Sequence, residues 1–201
     1  MKITGIIAEY NPFHNGHAYQ IAKIKEETDS DYVIVAMSGD FVQRGEPAIT
    51  DKYERARMAL SCGADLVLEL PICYAASSAE FFAKGSVALF DKLGVTTNLC
   101  FGSECGNAAK LQRAAKALLQ ADFPDALREE LAKGLSFAAA RESAARALIG
   151  EDAAVLREPN DILGVEYCKA LLQSGSTIAP LAILRKVVGH NGGAEKGFAS
   201  A

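Results

Sequence analysis

Short apolar runs that alternate with helix-like segments constrain the fold of this chain more than any other feature. The runs are rich in Ile, Val and Leu, which is typical of strands buried on both faces of a sheet. They are Ile3–Ala8, Tyr32–Met37, Asp65–Leu70, Thr97–Phe101 and Thr177–Val187. Strand–helix–strand units of this length favour right-handed crossovers and parallel pairing. The alternation therefore predicts the α/β fold class, as an open, doubly wound parallel sheet.

The helices between these runs are predicted from apolar spacing, capping residues and terminating glycines. They begin near His17, at Thr50 or Asp51, at Ser77 or Ser78 and at Ile162, and they end near Glu27, Cys62, Leu93 and Leu172. The stretch from Asn107 to Arg157 differs, because it is rich in alanine and contains no strand-like run. It predicts a helical insertion of three helices at about 107–157, within one domain that covers residues 1–201.

The composition is that of an ordinary globular chain, with 50% apolar and 23% charged residues among 201. Such a chain needs no disulfide or metal to bury a core. The net charge of −4 excludes a strongly basic nucleic-acid module, although not a local basic groove. Scattered cysteines without a CxxC pair indicate reduced thiols and offer no complete set of zinc ligands. No apolar run approaches the ~20 residues of a membrane span, so we expect a cytoplasmic protein with no membrane partner.

The loop after the first strand carries the strongest chemical signal. It reads EYNPFHNGH over Glu9–His17 and includes both His14 and His17, without matching a Walker A or a G-x-G-x-x-G loop. A loop that enters a helix N-terminus at the carboxyl end of a parallel strand attracts anions, and Gly16 permits a close approach of the backbone. The two imidazoles could donate hydrogen bonds to a phosphoryl centre under attack. The alternatives are ordinary polar residues of a loop and a helix cap, or a metal pair.

The string His14-Asn15-Gly16-His17 resembles the H-x-G-H signature of the nucleotidyltransferase superfamily, which is related to class I aminoacyl-tRNA synthetases. Those proteins bind ATP on a Rossmann-like sheet and attack its α-phosphate, releasing pyrophosphate. Four longer strings occur in order and together resemble the bacterial tRNA(Met) cytidine acetate ligase family over nearly the whole chain. They are EYNPFHNGH, SGDFVQRGEPA from Ser38, GADLVLELP from Gly63 and FGSE from Phe101.

The resemblance implies an ATP-dependent ligase that activates acetate to acetyl-adenylate and then acetylates the wobble cytidine of elongator tRNA(Met). It implies Mg²⁺ that bridges the phosphates, and it assigns catalysis to His14 and His17. It also implies an ATP site made of the first strand end, the loop, the first helical turn and three later residues. The set is Ile7, Ala8, Glu9, Tyr10, Asn11, Pro12, Phe13, His14, Asn15, Gly16, His17, Ala18, Tyr19, Gln20, Gly102, Asn160 and Arg185.

The three later residues of this set also have interpretations from the residues alone. Gly102 ends a strand, where a missing side chain leaves room for a base or ribose; the alternative is a plain turn glycine. Asn160 follows Pro159 and could be a helix N-cap as well as a ligand. Arg185 lies at the end of an apolar strand and suits bidentate contact with a phosphate, or pairs with a carboxylate at the surface.

The loop after the second strand is also predicted to face the cleft. Ser38 and Gly39 could line the acetate or adenylate pocket, and Arg44 could hold a phosphate or an RNA backbone. Asp40 stands where the family pattern usually has Asn, which argues against a phosphate contact at that position.

Four other charged residues near these loops have mixed interpretations. Arg55 and Arg57 are two residues apart on the following helix, so they do not share a face, and they are interpreted mainly as solvated charges. Glu69 and Glu104 lie near strand ends. Either could accept a hydrogen bond from a ribose or a metal-bound water, or simply face water.

The end of the chain departs from the family pattern. Leu184 precedes Arg185 where Lys is common, and the sequence stops at Ala201, partway into the Ser/Ala-rich segment that corresponds to the second superfamily signature. We therefore expect an N-terminal catalytic part, without the C-terminal domain that would provide much of the binding to tRNA. Two other functions stay open. One is a nucleotidyltransferase for another small carboxylate or phosphate, and the other is a non-catalytic nucleotide- or RNA-binding module.

Overall fold

The structure is a computed structural model that describes residues 1–185, apart from the side chain of Arg44. Its strands are β1 (Ile3–Ala8), β2 (Tyr32–Ser38), β3 (Leu66–Leu70), β4 (Asn98–Ser103) and β5 (Ala179–Leu184). They form one five-stranded, all-parallel sheet in the order β3-β2-β1-β4-β5. This order confirms the predicted doubly wound parallel sheet, and it places the reversal of strand order between β1 and β4.

Eight α-helices are present in the described residues. They are α1 (Asn15–Thr28), α2 (Lys52–Ser61), α3 (Ile72–Ala75), α4 (Ala79–Leu93), α5 (Ala108–Leu118), α6 (Phe123–Ala132), α7 (Phe137–Ile149) and α8 (Pro159–Ser174). Short 3₁₀ helices form at Gln43–Gly45 and Gly150–Leu156. The alanine-rich segment thus forms the three predicted helices, α5 to α7, and a 3₁₀ helix continues the chain from Gly150.

The two faces of the sheet bury separate cores, as the alternation of side chains along each strand requires. One face packs against α1 and α2, and its core includes Ile6, Val35, Cys100, Ile21 and Ala59. The other face packs against α4, α5 and α8, and its core includes Ile7, Ile34, Phe101, Phe90 and Val165. Gly5 allows α4 to approach the sheet closely, because a Cβ at Gly5 would come within 2.9 Å of the Phe90 ring.

Helix starts differ from the prediction at two points that matter for the site. The helix α1 begins at Asn15 instead of near His17, because the His14 side chain caps it. The helix α8 begins at Pro159 with Glu158 as its N-cap. The interpretation of Asn160 as an N-cap is therefore wrong, since Asn160 is the second residue inside the helix.

Two further differences concern the ends of other elements. The four-residue helix α3, directly after Pro71, has no counterpart in the prediction. The strand β5 runs from Ala179 to Leu184 instead of beginning at Thr177. Its predicted end at Val187, and the Gly-rich segment 189–201 with the second signature, lie outside the described residues.

Candidate active site

Both histidines of the first loop cap the N-terminus of α1. The Gly16 N–H donates to His14 Nδ1 at 3.1 Å, and the His14 N–H donates to His17 Nδ1 at 3.2 Å. The His14 side chain also accepts from the backbone of His17, and with the bond to His17 Nδ1 this forms a capping box in which imidazoles take both side-chain positions. A Cβ at Gly16 would lie 2.8 Å from Cε1 of His14, so glycine makes room for this cap. An imidazole whose Nδ1 accepts is neutral and carries its proton on Nε2, so each ring keeps an N–H donor for a ligand.

Burial and stacking hold these two imidazoles in the neutral form. Their rings stack with centroids 3.7 Å apart and an angle of 24° between the planes. Burial lowers the pKa of His17 to about 3, with smaller contributions from His14 and the Arg185 guanidinium. Burial and Arg185 also lower the pKa of His14. Because both effects oppose protonation, the pair presents two uncharged N–H donors near neutral pH.

Tyr10 supports the histidine pair from inside the loop. Its side chain is buried, and its ring meets the His17 ring edge-on at 4.7 Å and the Phe13 ring edge-on at 4.8 Å. Its backbone is left-handed, with a φ of 50°, which is uncommon for a residue with a Cβ. Its hydroxyl is buried without a partner in the described residues. Tyr10 was predicted in the ATP site, and its side chain is buried against His17; its contact with ATP stays a prediction.

A chain of hydrogen bonds joins β5, α8 and the end of β4 at the same edge of the sheet. Arg185 Nη1 donates to Asn160 Oδ1 at 2.9 Å, and Asn160 Nδ2 donates to Glu104 Oε1 at 2.6 Å. Glu104 Oε2 accepts from the Asp161 N–H at 2.9 Å. Glu104 therefore caps the first turn of α8 and orients Asn160, a role that differs from both interpretations made from the sequence. A Cβ at Gly102 would lie 3.2 Å from Cγ of Arg185, so the glycine accommodates the arginine stem.

The buried carboxylate of Asp161 ties the loop after β4 to α8. It accepts from Ser103 Oγ at 2.5 Å and from the Cys105 N–H at 3.2 Å. The Ser103 hydroxyl in turn accepts from the Gly106 N–H at 2.9 Å, and the Ser103 carbonyl accepts from the Arg185 N–H at 2.9 Å. These bonds make the support of Asn160 and Arg185 rigid. The sequence signal for Asp161 is only its place after Pro-Asn, and it was not chosen as a site residue.

The histidine pair and the hydrogen-bond chain of Arg185, Asn160 and Glu104 meet where the strand order reverses. β4 pairs in parallel with both β1 and β5, so the loop after β1 and Arg185 lie at the same edge of the sheet, where Arg185 helps to lower the pKa of both His14 and His17. The structure therefore brings together His14, His17, Gly102, Asn160 and Arg185, which lie far apart in the sequence. Ligands of open α/β sheets bind at such a switch point.

The loop after β2 contributes a second polar cluster. Ser38 is buried, and its hydroxyl has no hydrogen-bond partner in the described part of the chain. Gly39 lies against the Glu69 carboxylate, which a Cβ at that position would overlap. Lys52 Nζ donates to both Glu69 oxygens at 2.8 Å and lies 3.8 Å from Asp40 Oδ2. Glu69 and Asp40 are thus partners of Lys52, and Gly39 is the residue that lets Glu69 reach it.

The interpretation of Arg55 as a solvated charge is wrong. Its side chain is fully buried, and it donates only to backbone carbonyls, those of Glu9 at 2.6 Å, Thr50 at 3.1 Å, Ser38 at 3.1 Å and Gly39. Burial lowers its pKa, while the carboxylates of Asp40, Asp51, Glu9 and Glu69 act in the opposite direction. Arg57 is exposed and pairs with Glu54 at 2.6 Å, as its interpretation predicts. Their spacing of two residues shows that the two arginines lie on different faces of α2 and so differ in environment, but it does not show which one is buried.

Side chains of the first loop hold the second loop in place. Glu9 Oε1 accepts from the Gln43 N–H at 2.8 Å, and Asn11 Oδ1 accepts from the Ile49 N–H at 2.7 Å. The first loop therefore positions the 3₁₀ turn that carries Arg44. The Arg44 side chain lies outside the described residues, so its predicted role stays a prediction.

The other predicted ATP-binding residues lie at the end of β1, in the loop after it and in the first half of α1. Ile7 is buried in the core, whereas Ala8, Phe13, Ala18, Tyr19 and Gln20 are half-buried, and Pro12 and Asn15 are exposed. Burial raises the pKa of the Cys100 thiol of β4, and the Gln20 side chain acts in the opposite direction, so Gln20 lies beside the sheet. An open cavity of about 340 Å³ adjoins His14 on its α2 side, and its lining includes Asn15, Ala18, Met58 and Cys62.

Residues 1–185 contain no group of three His, Cys, Asp or Glu side chains that could hold a metal ion. Within the same residues, no helix is both long and apolar enough to cross a membrane.

Comparison with known proteins identifies the family. The family model of the HIGH nucleotidyl transferases matches residues 1–201. The chain belongs to the HIGH nucleotidyl transferase family. This membership confirms the resemblance that was drawn from the H-x-G-H string.

Individual relatives of this nucleotidyl transferase carry a more specific name. The chain is 48% identical over 196 residues to the tRNA(Met) cytidine acetate ligase of Clostridium novyi (strain NT), covering 95% of this chain and 49% of that protein. It is 50% identical over 190 residues to the ligase of that name from Thermoanaerobacter sp. (strain X514), covering 92% and 47%. The chain thus spans about half the length of the curated relatives it matches.

A solved structure shares the fold. The crystal structure of Thermotoga maritima TmcAL bound with alpha-thio ATP superposes with a TM-score of 0.85 at 45% identity, covering 91% of this chain and 46% of that one. The apo form of the same protein gives a TM-score of 0.86 at 45% identity, covering 92% and 46%. The Rossmann-like sheet of this nucleotidyl transferase is therefore the fold of a protein that binds an ATP analogue.

Proposed function

We propose that this chain binds ATP at the edge formed by β1, β4 and β5, and that it is the adenylate-forming part of a tRNA(Met) cytidine acetate ligase. One observation carries the proposal: two neutral, stacked imidazoles at a helix N-terminus lie within electrostatic reach of Arg185 at the switch point of the sheet. The names of the relatives, and the ATP analogue bound by the solved neighbour, support the choice of substrates.

The proposed reaction has two steps. A carboxylate oxygen of acetate attacks the α-phosphorus of ATP, and the bond from that phosphorus to the oxygen bridging to the β-phosphate breaks. Acetyl-adenylate forms, and pyrophosphate leaves with the electron pair. The exocyclic amine of the wobble cytidine of elongator tRNA(Met) then attacks the acetyl carbonyl. AMP leaves, the amine loses a proton, and the amide is formed.

His14 and His17 would act on the first step as hydrogen-bond donors. Each Nε2–H would stabilise the negative charge that builds up on the α-phosphate oxygens as acetate attacks. No proton needs to be transferred to or from the α-phosphate, so neutral donors with lowered pKa values suit this role better than titrating acids. The positive end of the α1 dipole adds to the same stabilisation.

Arg185, Asn160 and Gly102 would hold the rest of the nucleotide. Within residues 1–185 the Arg185 guanidinium uses only Nη1, to bind Asn160, so its other N–H donors can bind phosphate oxygens. Asn160, held by Glu104, and the backbone at Gly102 would contact the nucleoside. The loop after β2, with Ser38, Gly39 and Arg44, would receive the acyl donor.

Mg²⁺ is expected to enter with the nucleotide. The described side chains do not form a cage for it, and the nearby Glu104 carboxylate is already occupied by the amides of Asn160 and Asp161. Mg²⁺ commonly binds phosphate oxygens and water and few protein groups. Its contribution would be to neutralise charge on the phosphates. With tRNA as the acceptor, we place the reaction in the cytoplasm.

Exchange of labelled pyrophosphate into ATP tests the proposal. The protein is incubated with ATP, Mg²⁺ and labelled pyrophosphate, with and without acetate, and ATP binding is measured in parallel by calorimetry. We expect exchange that depends on acetate. ATP binding without acetate-dependent exchange would contradict the adenylation step. A panel of other carboxylates and phosphate esters, scored for pyrophosphate release, would show a different nucleotidyltransferase substrate.

A further inference from the structure

Arg55 is the largest fully buried side chain among the described residues, and nothing in the proposed chemistry yet uses it. It lies on the first turn of α2 and extends beneath the carboxyl ends of β1 and β2. A buried cation is weak evidence for stability, because apolar residues of similar volume often stabilise a protein equally well or better. Its position therefore calls for another explanation.

The contacts of Arg55 join the two loops that would bind the two small substrates. Its Nη1 donates to the Glu9 carbonyl at 2.6 Å and to the Ser38 carbonyl at 3.1 Å, so one nitrogen atom spans the gap between them. Glu9 begins the loop that carries both histidines, and Ser38 ends β2. The last paired residues of these strands are Ala8 and Met37, so Arg55 continues the connection where the ladder stops.

The remaining donors of Arg55 fix the second loop and α2. Its Nη2 donates to the Gly39 carbonyl, and its Nε donates to the Thr50 carbonyl at 3.1 Å. A peptide unit is planar, so fixing a carbonyl also fixes the N–H of the next residue. Arg55 therefore sets the orientation of the backbone at the start of the nucleotide loop and at the start of the loop after β2.

We propose that Arg55 is a positioning residue that sets the distance and orientation between the ATP loop and the acyl-donor loop. The inference rests on the proposed function, since it gives the loop after β2 the role of receiving acetate. Adenylate formation requires the carboxylate oxygen to line up with the α-phosphorus, and small errors in such alignment cost about 100-fold in rate. Arg55 would thus act on the rate of the chemical step more than on the binding of either substrate.

Only a guanidinium can make this set of contacts. The acceptors lie in several directions around its plane, and its N–H groups diverge in a fixed fork. Lysine keeps the charge but cannot satisfy the same carbonyls at once. Methionine keeps much of the volume and removes both charge and donors. The variants Arg55→Lys and Arg55→Met therefore separate the charge from the geometry.

The test measures kcat and both KM values in acetate-dependent exchange for these two variants. We expect kcat to fall about 10-fold in Arg55→Lys and about 100-fold in Arg55→Met, with KM for ATP and for acetate changed less than about threefold. Hydrogen–deuterium exchange, read by mass spectrometry, should show faster exchange in both loops, 9–14 and 38–49.

Arg141→Met is the matched control. Arg141 is also a poorly exposed arginine, and it pairs with the buried Glu166 at 2.5 Å, between α7 and α8 and away from both loops. This variant should lose thermal stability to an extent comparable with Arg55→Met, but it should keep the wild-type kcat and the wild-type deuterium uptake of the two loops.

The outcomes separate the inference from the proposed function. Arg55 variants with lowered melting temperature, wild-type kcat and unchanged loop exchange would overturn the positioning role. Variants whose KM for ATP rises as kcat stays constant would overturn it as well, because Arg55 would then serve binding alone. A wild-type protein without acetate-dependent exchange would overturn the proposed function, and the deuterium-exchange comparison would still decide whether Arg55 couples the loops.

Discussion

The proposed catalytic edge, formed by His14, His17, Asn160 and Arg185, and the helical insertion both concentrate charged and polar side chains, but they use them differently. In the insertion, charges satisfy one another: Glu142 accepts from Arg146 at 2.8 Å and from Arg157 at 2.7 Å, and these bonds lower its pKa to about 2. At the edge, the side chains of His14 and His17 accept from backbone N–H groups, and Arg185 donates through Nη1 to Asn160. Within residues 1–185 their other N–H groups stay available as donors. A ligand site thus differs from a structural charge network, because its hydrogen-bond donors outnumber the acceptors that the protein itself supplies.

Removing the imidazoles should have the largest effect on activity. The variants His14→Asn and His17→Gln keep residue types that can form the capping box, but they remove the Nε2–H donors. We expect acetate-dependent exchange to fall by about 10² to 10³ for each, the cost of losing a donor to a developing negative charge. Exchange rates at saturating ATP and acetate give the measurement.

Helix content and melting temperature are the control for these variants. If the cap is preserved, both should stay close to wild type, whereas His14→Ala should also lose stability by about 1 kcal/mol through loss of the cap. Near-wild-type exchange in His14→Asn and His17→Gln would mean that the pair is a helix cap only, and the contrast between the two regions would then fail.

Shortening Arg185 should have the next largest effect, and it should act on binding. Arg185→Lys removes the fork that contacts Asn160 and the donors proposed for the phosphates. We expect the ATP dissociation constant from calorimetry to rise about tenfold, in line with the loss of one charge-assisted hydrogen bond. Arg157→Lys is the matched control in the helical insertion. It removes the guanidinium fork that contacts Glu142 and should leave the ATP dissociation constant at the wild-type value. Equal affinities for both variants would disprove the proposed phosphate contact.

The pH dependence of the free energy of unfolding also distinguishes the edge from the insertion. The expected effect is smaller than the effects of the variants above. The folded state lowers the pKa of His17 from 6.5 to about 3, so the unfolded chain takes up a proton first as the pH falls. The free energy of unfolding should therefore be unaffected above 6.5 and should decrease as the pH falls from there towards 3. The free energy of unfolding is measured by denaturant titration at pH 7.5 and 5.5. Between these pH values the wild type should lose about 1 kcal/mol more of it than His17→Gln does. An identical loss in both would show that His17 is not buried in its neutral form.

The sequence predicts the parts of this molecule that depend on short-range patterns. The apolar runs predict each strand, because buried parallel strands need apolar side chains on both faces. The histidines and Gly16 are visible because their spacing is local. What joins them to Gly102, Asn160 and Arg185 is the strand order, which only the structure gives. The resemblance to a family supplied these three residues as members of one predicted site.

The residues that the sequence does not reveal are those whose role depends on burial. Arg55 and Arg57 have the same side chain and almost the same neighbours in sequence, yet one is fully buried and the other is paired at the surface. Glu104 and Asp161 are likewise ordinary acids until the start of α8 lies against the end of β4. Glu104 then accepts from the Asp161 N–H of α8, and Asp161 accepts from the Cys105 N–H of the loop after β4. Such assignments need the tertiary contact itself.

Breaking the charge network of the insertion should have the smallest effect, and only on stability. Glu142→Gln removes the carboxylate between Arg146 and Arg157 but keeps an acceptor of nearly the same shape. Ion pairs of this kind contribute at most about 1 kcal/mol, which for a chain of this size corresponds to about 2–4 °C in melting temperature. Added salt should shrink the difference between wild type and variant, because it screens the partly exposed arginines. Exchange activity should be unchanged; a reduction in kcat would show that the insertion is coupled to the catalytic edge through α8, on which Asn160 lies.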